Sequence, residues 1–377
     1  MASVSLPTPG SSPRPLDAVA RLVVDDLGAS PAAVVAASAL VGGYWRRALG
    51  VHGVLFPGGP EATSDTVFDL ASVTKPLVAL AAARLGRRHP GLLATPLGRV
   101  LAEVRGGPSE FVPLELFLAH RAGLEGHRPL YAPMLTGDRV DRAASLAEAA
   151  RARRPECTGE PPREGFSPLY SDLGYLLVGA ALERVAHQRL DDLIASEVTV
   201  PSGGGIVSAA TLHERGLVAR TAPTEVVDWR GGAVRGEVHD ENAWALGGRG
   251  VCGHAGLFGD AGSLARVGEW VVEALAGQRP DWLAPAELEP LIRPRHGGTL
   301  RAGFDGKSPS GSSAGSELGE RSFGHLGFTG TSLWIDPDRP LIVALLTNRV
   351  HPTRAADAIR RARPAAHDAV AAWAAGL

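Results

Sequence analysis

The chain has 377 residues, 45% of them hydrophobic and 21% charged, a composition that excludes wholesale disorder and suffices for one or two folded units with a sizeable core. Its 38 Lys and Arg nearly balance 40 Asp and Glu, so no net field is available to hold a nucleic-acid backbone or an anionic membrane surface, and neither partner is expected. Cys157 and Cys252 stand far apart without CxxC or His/Cys spacing, which indicates neither a structural disulfide nor a zinc site.

Residues 1–15 are rich in Ser and Pro and lack the charged start and apolar core of a secretory signal. They read as a flexible tail on a cytoplasmic protein. Apolar stretches such as residues 32–41 fall well short of the roughly 20 residues that span a bilayer. Residues 33–41 and 44–54 are β-prone runs joined by Gly42-Gly43, a dipeptide able to supply the positive φ of a tight hairpin. Dense Leu/Ala spacing predicts a buried helix over 77–85, ended by Gly86 and Pro90, and helical patterns follow at 113–120, 143–154, 172–188 and 263–276. Residues 307–319, rich in Ser and Gly, read as a loop. Two strands follow at 331–335 and 341–347, separated by the turn Asp336-Pro337-Asp338. An Ala-rich helix over 354–375, kinked at Pro364, closes the chain.

Strands at both ends with helices between predict an α/β (α+β) fold, an antiparallel sheet flanked by helices with an inserted, mostly helical domain. The expected division is a tail at 1–15, a discontinuous α/β domain from 16–85 and 290–377, and an insertion over 86–289. Sites in such folds lie in the cleft between the two units.

The strongest chemical signal is Ser72-Val73-Thr74-Lys75, an S-x-x-K pair at the start of the first long helix, where a spacing of three sets both side chains on one face. At that helix start Ser72 lies in the positive end of the macrodipole, which favours charge developing during attack on a carbonyl. Pro76 requires the helix to begin close to Ser72, because a missing N–H is harmless only in the first turn. Leu77 and Val78 are expected to wall Lys75 with apolar surface, lowering its pKa so that the amine accepts the serine proton. Such a pair arises by chance about once or twice in a chain of this length as a solvated surface pair; the apolar flanks raise this one above that background. Tyr170-Ser171-Asp172 precedes a strong helical run, with Asp172 as its expected cap. Tyr170 is either a packing aromatic or a proton shuttle whose phenol pKa is depressed by a neighbouring cation, for which Lys75 is the candidate. Gly324-His325-Leu326-Gly327-Phe328-Thr329-Gly330-Thr331 runs into a predicted strand, either as a tight turn with a surface histidine or as an exposed edge against which a substrate lies. In the second reading the Ser72 and Phe328 amides are candidates for an oxyanion hole, with Gly327 lining the site.

In order and spacing, Ser72-Val-Thr-Lys75, Tyr170-Ser-Asp172 and His325-Leu-Gly327 resemble the three motifs of the serine β-lactamase and penicillin-binding-protein superfamily. The chain is similar to its class C-like hydrolases and esterases, from about residue 33 to the end. True class C β-lactamases carry Lys-Thr-Gly as the third motif; here the position of that lysine is His325, which removes a cation used in recognising a β-lactam carboxylate. The resemblance implies an antiparallel sheet with a helical domain, and acylation of Ser72 followed by hydrolysis or transfer. It implies no cofactor and no metal.

The expected activity is a serine hydrolase acting on a small ester, lactone or amide. Lys75 and Tyr170 deprotonate Ser72, Asp172 bonds Lys75 or the substrate, and His325 orients the substrate or Tyr170. Arg349 is either a surface residue or a bidentate grip on a substrate carboxylate. The same acyl-serine serves an acyltransferase or a D-amino-acid peptidase, and a non-catalytic sensor of the same fold is a further alternative. Gly311-Ser312-Ser313-Ala314-Gly315 has the nucleophile-elbow pattern but no strand before or helix after it, which leaves at most a role bordering the cleft. His239, Asp240 and His254 match no zinc spacing and read as loop anchors, and His120 as structural.

Overall fold

Two neighbouring glycines decide the first hairpin: Gly42 and Gly43 take φ of 59° and 84° and turn the chain between β1 (Ala32–Val41) and β2 (Tyr44–Gly53). The computed structural model describes residues 14–377, so the expected tail lies outside the described residues except for Arg14 and Pro15. Further strands are β3 (Phe68–Asp69), β4 (Ile206–Ser208), β5 (Val226–Val227), β6 (Gly232–Ala233), β7 (Leu257–Gly259), β8 (Asp305–Gly306), β9 (Phe323–Leu326), β10 (Ser332–Asp336) and β11 (Leu341–Thr347). The six-stranded main sheet has the order β2-β1-β11-β10-β9-β8, and every pairing in it is antiparallel. β1 therefore lies beside the last strand, with Val35 opposite Leu345. A three-stranded sheet, β3-β7-β4, links the start of the chain to its middle.

Both faces of the main sheet are covered. Val34 and Ala36 of β1 with Ile342, Ala344 and Leu346 of β11 point into the larger core, which holds the helix Thr74–Gly86. The alternate residues Ala33, Val35 and Ala37 with Val343 and Leu345 pack under the helices Asp17–Arg21 and Ile359–Ala375. A strand buried on both sides reads as an unbroken apolar run, which is why β1 and β11 stood out in the sequence.

The helix Ala261–Leu275 falls in the range 86–289 expected for the insertion, yet it packs across β1, β10 and β11. Gly268 permits this close approach, since a Cβ there would meet Ile342. The layer covering the inner sheet face thus comes from that middle range. The last helix begins at Ile359, not at 354 as expected. The carbonyls of Arg354 and Ala356 accept from Arg349 Nη1 at 3.1 and 2.7 Å, so they do not serve a helical ladder. The Ser/Gly-rich loop lies against this helix, with Glu317 N–H donating to Asp368 at 2.9 Å, and does not border the cleft.

One ion pair fastens the inner helix layer to the sheet. Glu269 is 3% exposed; it accepts from Ser38 Oγ at 2.6 Å and from Arg47 Nε and Nη2 at 2.7 Å each, and Ser38 and Arg47 are direct cross-strand partners. Arg47→Ala leaves the buried carboxylate short of its counterion, and we expect a loss of about 1–3 kcal/mol, read as a lower midpoint in urea unfolding.

Candidate active site

The segment that carries Ser72 is bent by its own acid. Asp69 is buried at the end of β3 and accepts from Ala71 N–H and His239 N–H, both at 2.8 Å. The first bond holds Ala71 at φ 47°, a left-handed conformation that a non-glycine residue adopts only under constraint. The chain then enters a 3-10 turn at Ala71–Val73 and the helix Thr74–Gly86. Pro76 falls in the first turn of that helix, as expected.

Ser72 and Lys75 meet: Nζ donates to Ser72 Oγ at 2.8 Å, to Asp172 Oδ1 at 2.7 Å and to the His254 carbonyl at 3.4 Å. Lys75 is wholly buried, but its surroundings are not the apolar wall expected from Leu77 and Val78. The rings of Tyr170 and Tyr175 lie 4.8 and 5.4 Å from Nζ. Burial alone would weaken the hold of the amine on its proton, yet Asp172 and Tyr170 outweigh it and raise Lys75 above its ordinary 10.5. This reverses the expected direction. Tyr170 is also raised, above 10.0, because burial of its hydroxyl end beside Ser72 and Lys75 outweighs the pull of the lysine cation; the rest of the residue, 37% exposed, lines the cleft. The resting pair is an ammonium and a neutral phenol.

Ser171 rather than Asp172 caps the helix Asp172–Ala186, accepting from Gly174 N–H. Asp172, one residue inside, is thereby left to face Lys75. His120, read from sequence as structural, stacks on Tyr170 with centroids 4.6 Å apart, and its Nδ1 accepts from Ser171 N–H at 2.9 Å. Burial and the charge of Lys75 hold His120 well below 6.5. His325 is pushed down to about 3 by burial and by Lys75. Its Nδ1 donates to the Leu326 carbonyl at 2.8 Å and its ring lies 6.0 Å from that of Tyr170. Both imidazoles are neutral packing partners of the phenol.

The third motif is tied to the Ser72 segment by two hydroxyls: Thr329 Oγ1 donates to the Asp69 carbonyl at 2.7 Å and Thr331 Oγ1 to the Leu70 carbonyl at 2.9 Å. Gly327 is needed for this approach, because a Cβ there would strike Leu70 O and the Thr331 side chain. Its N–H is spent on the Thr331 carbonyl at 2.7 Å, whereas the Phe328 and Ser72 amides have no acceptor among the described residues. β8 pairs with β9 only at Phe323 and Gly324, so β9 is an open edge from His325 onward rather than along its whole length. Arg349 does not present the free fork expected of a bidentate grip. Its Nε donates to the Phe328 carbonyl at 2.8 Å and its Nη1 to two further carbonyls, with the guanidinium 4.6 Å from the Phe328 ring centre.

Ser72, Tyr170, Asp172, Gly327, Phe328 and Arg349 line a cleft of about 440 Å³ that also takes in Tyr131, Asp240, Glu241, Arg354 and Arg363, while Lys75 and His325 lie behind its surface. Sequence spacing gave no sign of Tyr131, Arg354 or Arg363, each of which reaches the cleft through tertiary folding. Asp240, read from sequence as a loop anchor, also lines the cleft, as does its neighbour Glu241, which no motif marks. His254 Nε2 pairs with Asp240 at 2.8 Å and His239 Nε2 with Glu225 at 3.2 Å, the loop-anchoring role expected of the histidines. No cluster of three or more His, Cys, Asp or Glu side chains arranged for a metal occurs among the described residues. Cys157 and Cys252 are buried free thiols, and no helix among the described residues is long and apolar enough to cross a membrane.

Over residues 21–367 the chain matches the family model described as Beta-lactamase. The chain belongs to the β-lactamase family. Esterase EstB of Burkholderia gladioli is 31% identical over 343 residues, covering 81% of this chain and 83% of that protein. An N-acetylmuramyl-L-alanine amidase of Bacillus subtilis (strain 168) is 28% identical over 259 residues, 62% of this chain; the match spans 55%, about half, of that relative. Among solved structures, a penicillin-binding-protein homologue from Caulobacter crescentus superposes with a TM-score of 0.68 at 19% identity, covering 95% of this chain and 96% of that one. The expected fold and family are thus established, and with them a serine hydrolase of the β-lactamase kind.

The cleft wall makes a testable contribution to stability. Burial pushes Glu225 up, but hydrogen bonds from His239 and Arg354 hold it down at about 2, against an ordinary 4.5. A depressed carboxyl stabilises the fold above pH 4.5 and loses that contribution as pH falls through 4.5 toward about 2. Glu225→Gln is expected to flatten the acid limb of a denaturation-against-pH curve by up to about 3 kcal/mol.

Proposed function

We propose that this protein hydrolyses a small ester or amide through an acyl-enzyme on Ser72, and the observation that carries the reading is the hydrogen bond at 2.8 Å between the buried Lys75 ammonium and Ser72 Oγ. Loss of one proton from the Lys75 and Tyr170 pair supplies the base. That base takes the Ser72 hydroxyl proton as Oγ bonds to the carbonyl carbon. The Ser72 and Phe328 amides then face the oxyanion, and the leaving oxygen or nitrogen departs with a proton returned from the pair. Water attacks the acyl ester by the reverse proton path and frees the serine. Asp172 keeps Lys75 aimed at Oγ; His120 and His325 brace Tyr170 from two sides and act as positioning residues.

Intact mass after treatment with a fluorophosphonate tests the nucleophile. A single adduct on the wild type, absent from Ser72→Ala together with hydrolysis of phenyl acetate, is the expected result; an adduct persisting in the variant moves the nucleophile elsewhere.

The direction of the two shifts sets the pH dependence. Both groups are raised above 10.0 and 10.5, so the free enzyme holds both protons at neutral pH and kcat/KM is still climbing at about pH 9. Asp172→Asn removes the anion that raises Lys75, so the rising limb moves to lower pH while kcat drops by about a hundredfold. A wild-type profile already flat at neutrality contradicts this assignment of the base.

A further inference from the structure

A second groove, sharing no residue with the catalytic cleft, opens at the other end of the main sheet. The turn between β10 and β11 bounds it through Pro337 and Pro340, and β9 enters it at Phe323, two residues before His325. Val272 and Leu275 of the helix Ala261–Leu275 and Ile292 of the helix Pro285–Ile292 extend an apolar lining around about 750 Å³. The reaction proposed at Ser72 uses none of these residues. Of the charged side chains that line the groove, Arg301 alone is buried, at 8% exposed. Its Nη1 donates to the Ile292 carbonyl at 2.7 Å, and the guanidinium lies 5.8 Å from the Phe323 ring centre. Nε and Nη2 make no hydrogen bond among the described residues, and no carboxylate there forms an ion pair with them. Burial lowers Arg301 below its ordinary range, and the attraction of Asp305, which lies too far off for an ion pair, offsets this only in part.

The other charges around the groove are already paired or lie in water. Glu273 accepts from Trp45 Nε1 at 2.8 Å and from Arg279 Nε at 2.6 Å. Arg293 pairs with Glu115, and Arg321 with Asp338. Glu289 and Glu320 are exposed at the rim, where water and salt screen them. A buried cation without a counterion therefore outweighs two solvated anions in deciding what the groove attracts. We propose that this groove binds a small amphipathic carboxylate, its acid group on Arg301 and its hydrocarbon body against Val272, Leu275, Ile292 and Phe323. A bare inorganic anion would answer the charge and leave the apolar lining wet, whereas an uncharged hydrocarbon would leave Arg301 unmatched. The site stands apart from the reading of Ser72 as nucleophile and does not depend on it.

The test titrates the full chain with octanoate by isothermal calorimetry, beside hexanoate, octan-1-ol and octylamine. Octanoate is expected to bind one to one. Hexanoate, short of two buried methylenes, and octan-1-ol, short of the charge, are each expected to bind about tenfold more weakly. Arg301→Gln, which keeps a donor for the Ile292 carbonyl, is expected to weaken octanoate about tenfold and to leave octan-1-ol within about twofold. A smaller folded fraction alters the stoichiometry, not the ratio between these ligands. Ala276 lines the groove at an exposed position, so Ala276→Trp obstructs it without entering the core and is expected to remove octanoate binding. Octanoate held with unchanged affinity in both variants lies elsewhere, the catalytic cleft included, and overturns the proposal. Octylamine bound more tightly than octanoate overturns it too, by giving the groove to Glu289 and Glu320, as does the absence of any saturable binding of octanoate.

Discussion

A cation cut off from water persists only where fixed dipoles and anions replace its hydration, and Lys75 is such a cation. Each group that replaces water around it also fixes a part of the fold. Ser72 is delivered by the turn that Asp69 bends. Asp172 is released toward Nζ because Ser171 takes over the capping of its helix. The His254 carbonyl arrives because Gly253 packs against the backbone of Tyr175, where a side chain would collide. Three segments distant in sequence therefore converge on one nitrogen, and disturbing any one of them unbalances the others.

The fold was legible because its signals are local or bilateral. Gly42-Gly43 names its own turn, and β1 and β11 are apolar on both faces, so their strand character survives without knowledge of their neighbours. The grouping of Ser72, Lys75, Tyr170 and Asp172 was legible as motifs. What failed was electrostatic. Leu77 and Val78 lie next to Lys75 in sequence, but the groups that set its proton affinity are Asp172 and Tyr170, almost a hundred residues away. The same holds for Arg349, whose nitrogens are taken up by carbonyls that local pattern cannot locate, and for Arg363, which no spacing marks. Sequence gives residue identity at a site more readily than the environment that decides charge.

The cleft divides its charge unevenly. On one side Asp240, Glu241 and Glu225 are hydrogen-bonded by His254, Arg354 and His239, contacts that hold loops in place. On the other, Arg349 and Arg363 flank the Gly327-Phe328 turn with only carbonyl oxygens as partners. The first wall serves as scaffold; the second turns two cations toward the cleft. Net charge near zero over the whole chain conceals this local imbalance.

The pairing of β1 with β11 sets an order on how the molecule comes into being. The N-terminal hairpin leaves the ribosome before the helix Ala261–Leu275 that packs on β1 and before β11, the strand that belongs beside it. Until β11 is made, β1 presents an open hydrogen-bonding edge and an uncovered inner face, an arrangement prone to pair with a neighbouring chain. Ser72, Lys75, Tyr170 and Asp172 are likewise synthesised well before Phe328 and Arg363, which complete the wall of the cleft. Completion of the cleft therefore waits on the synthesis of β9 to β11 and the last helix.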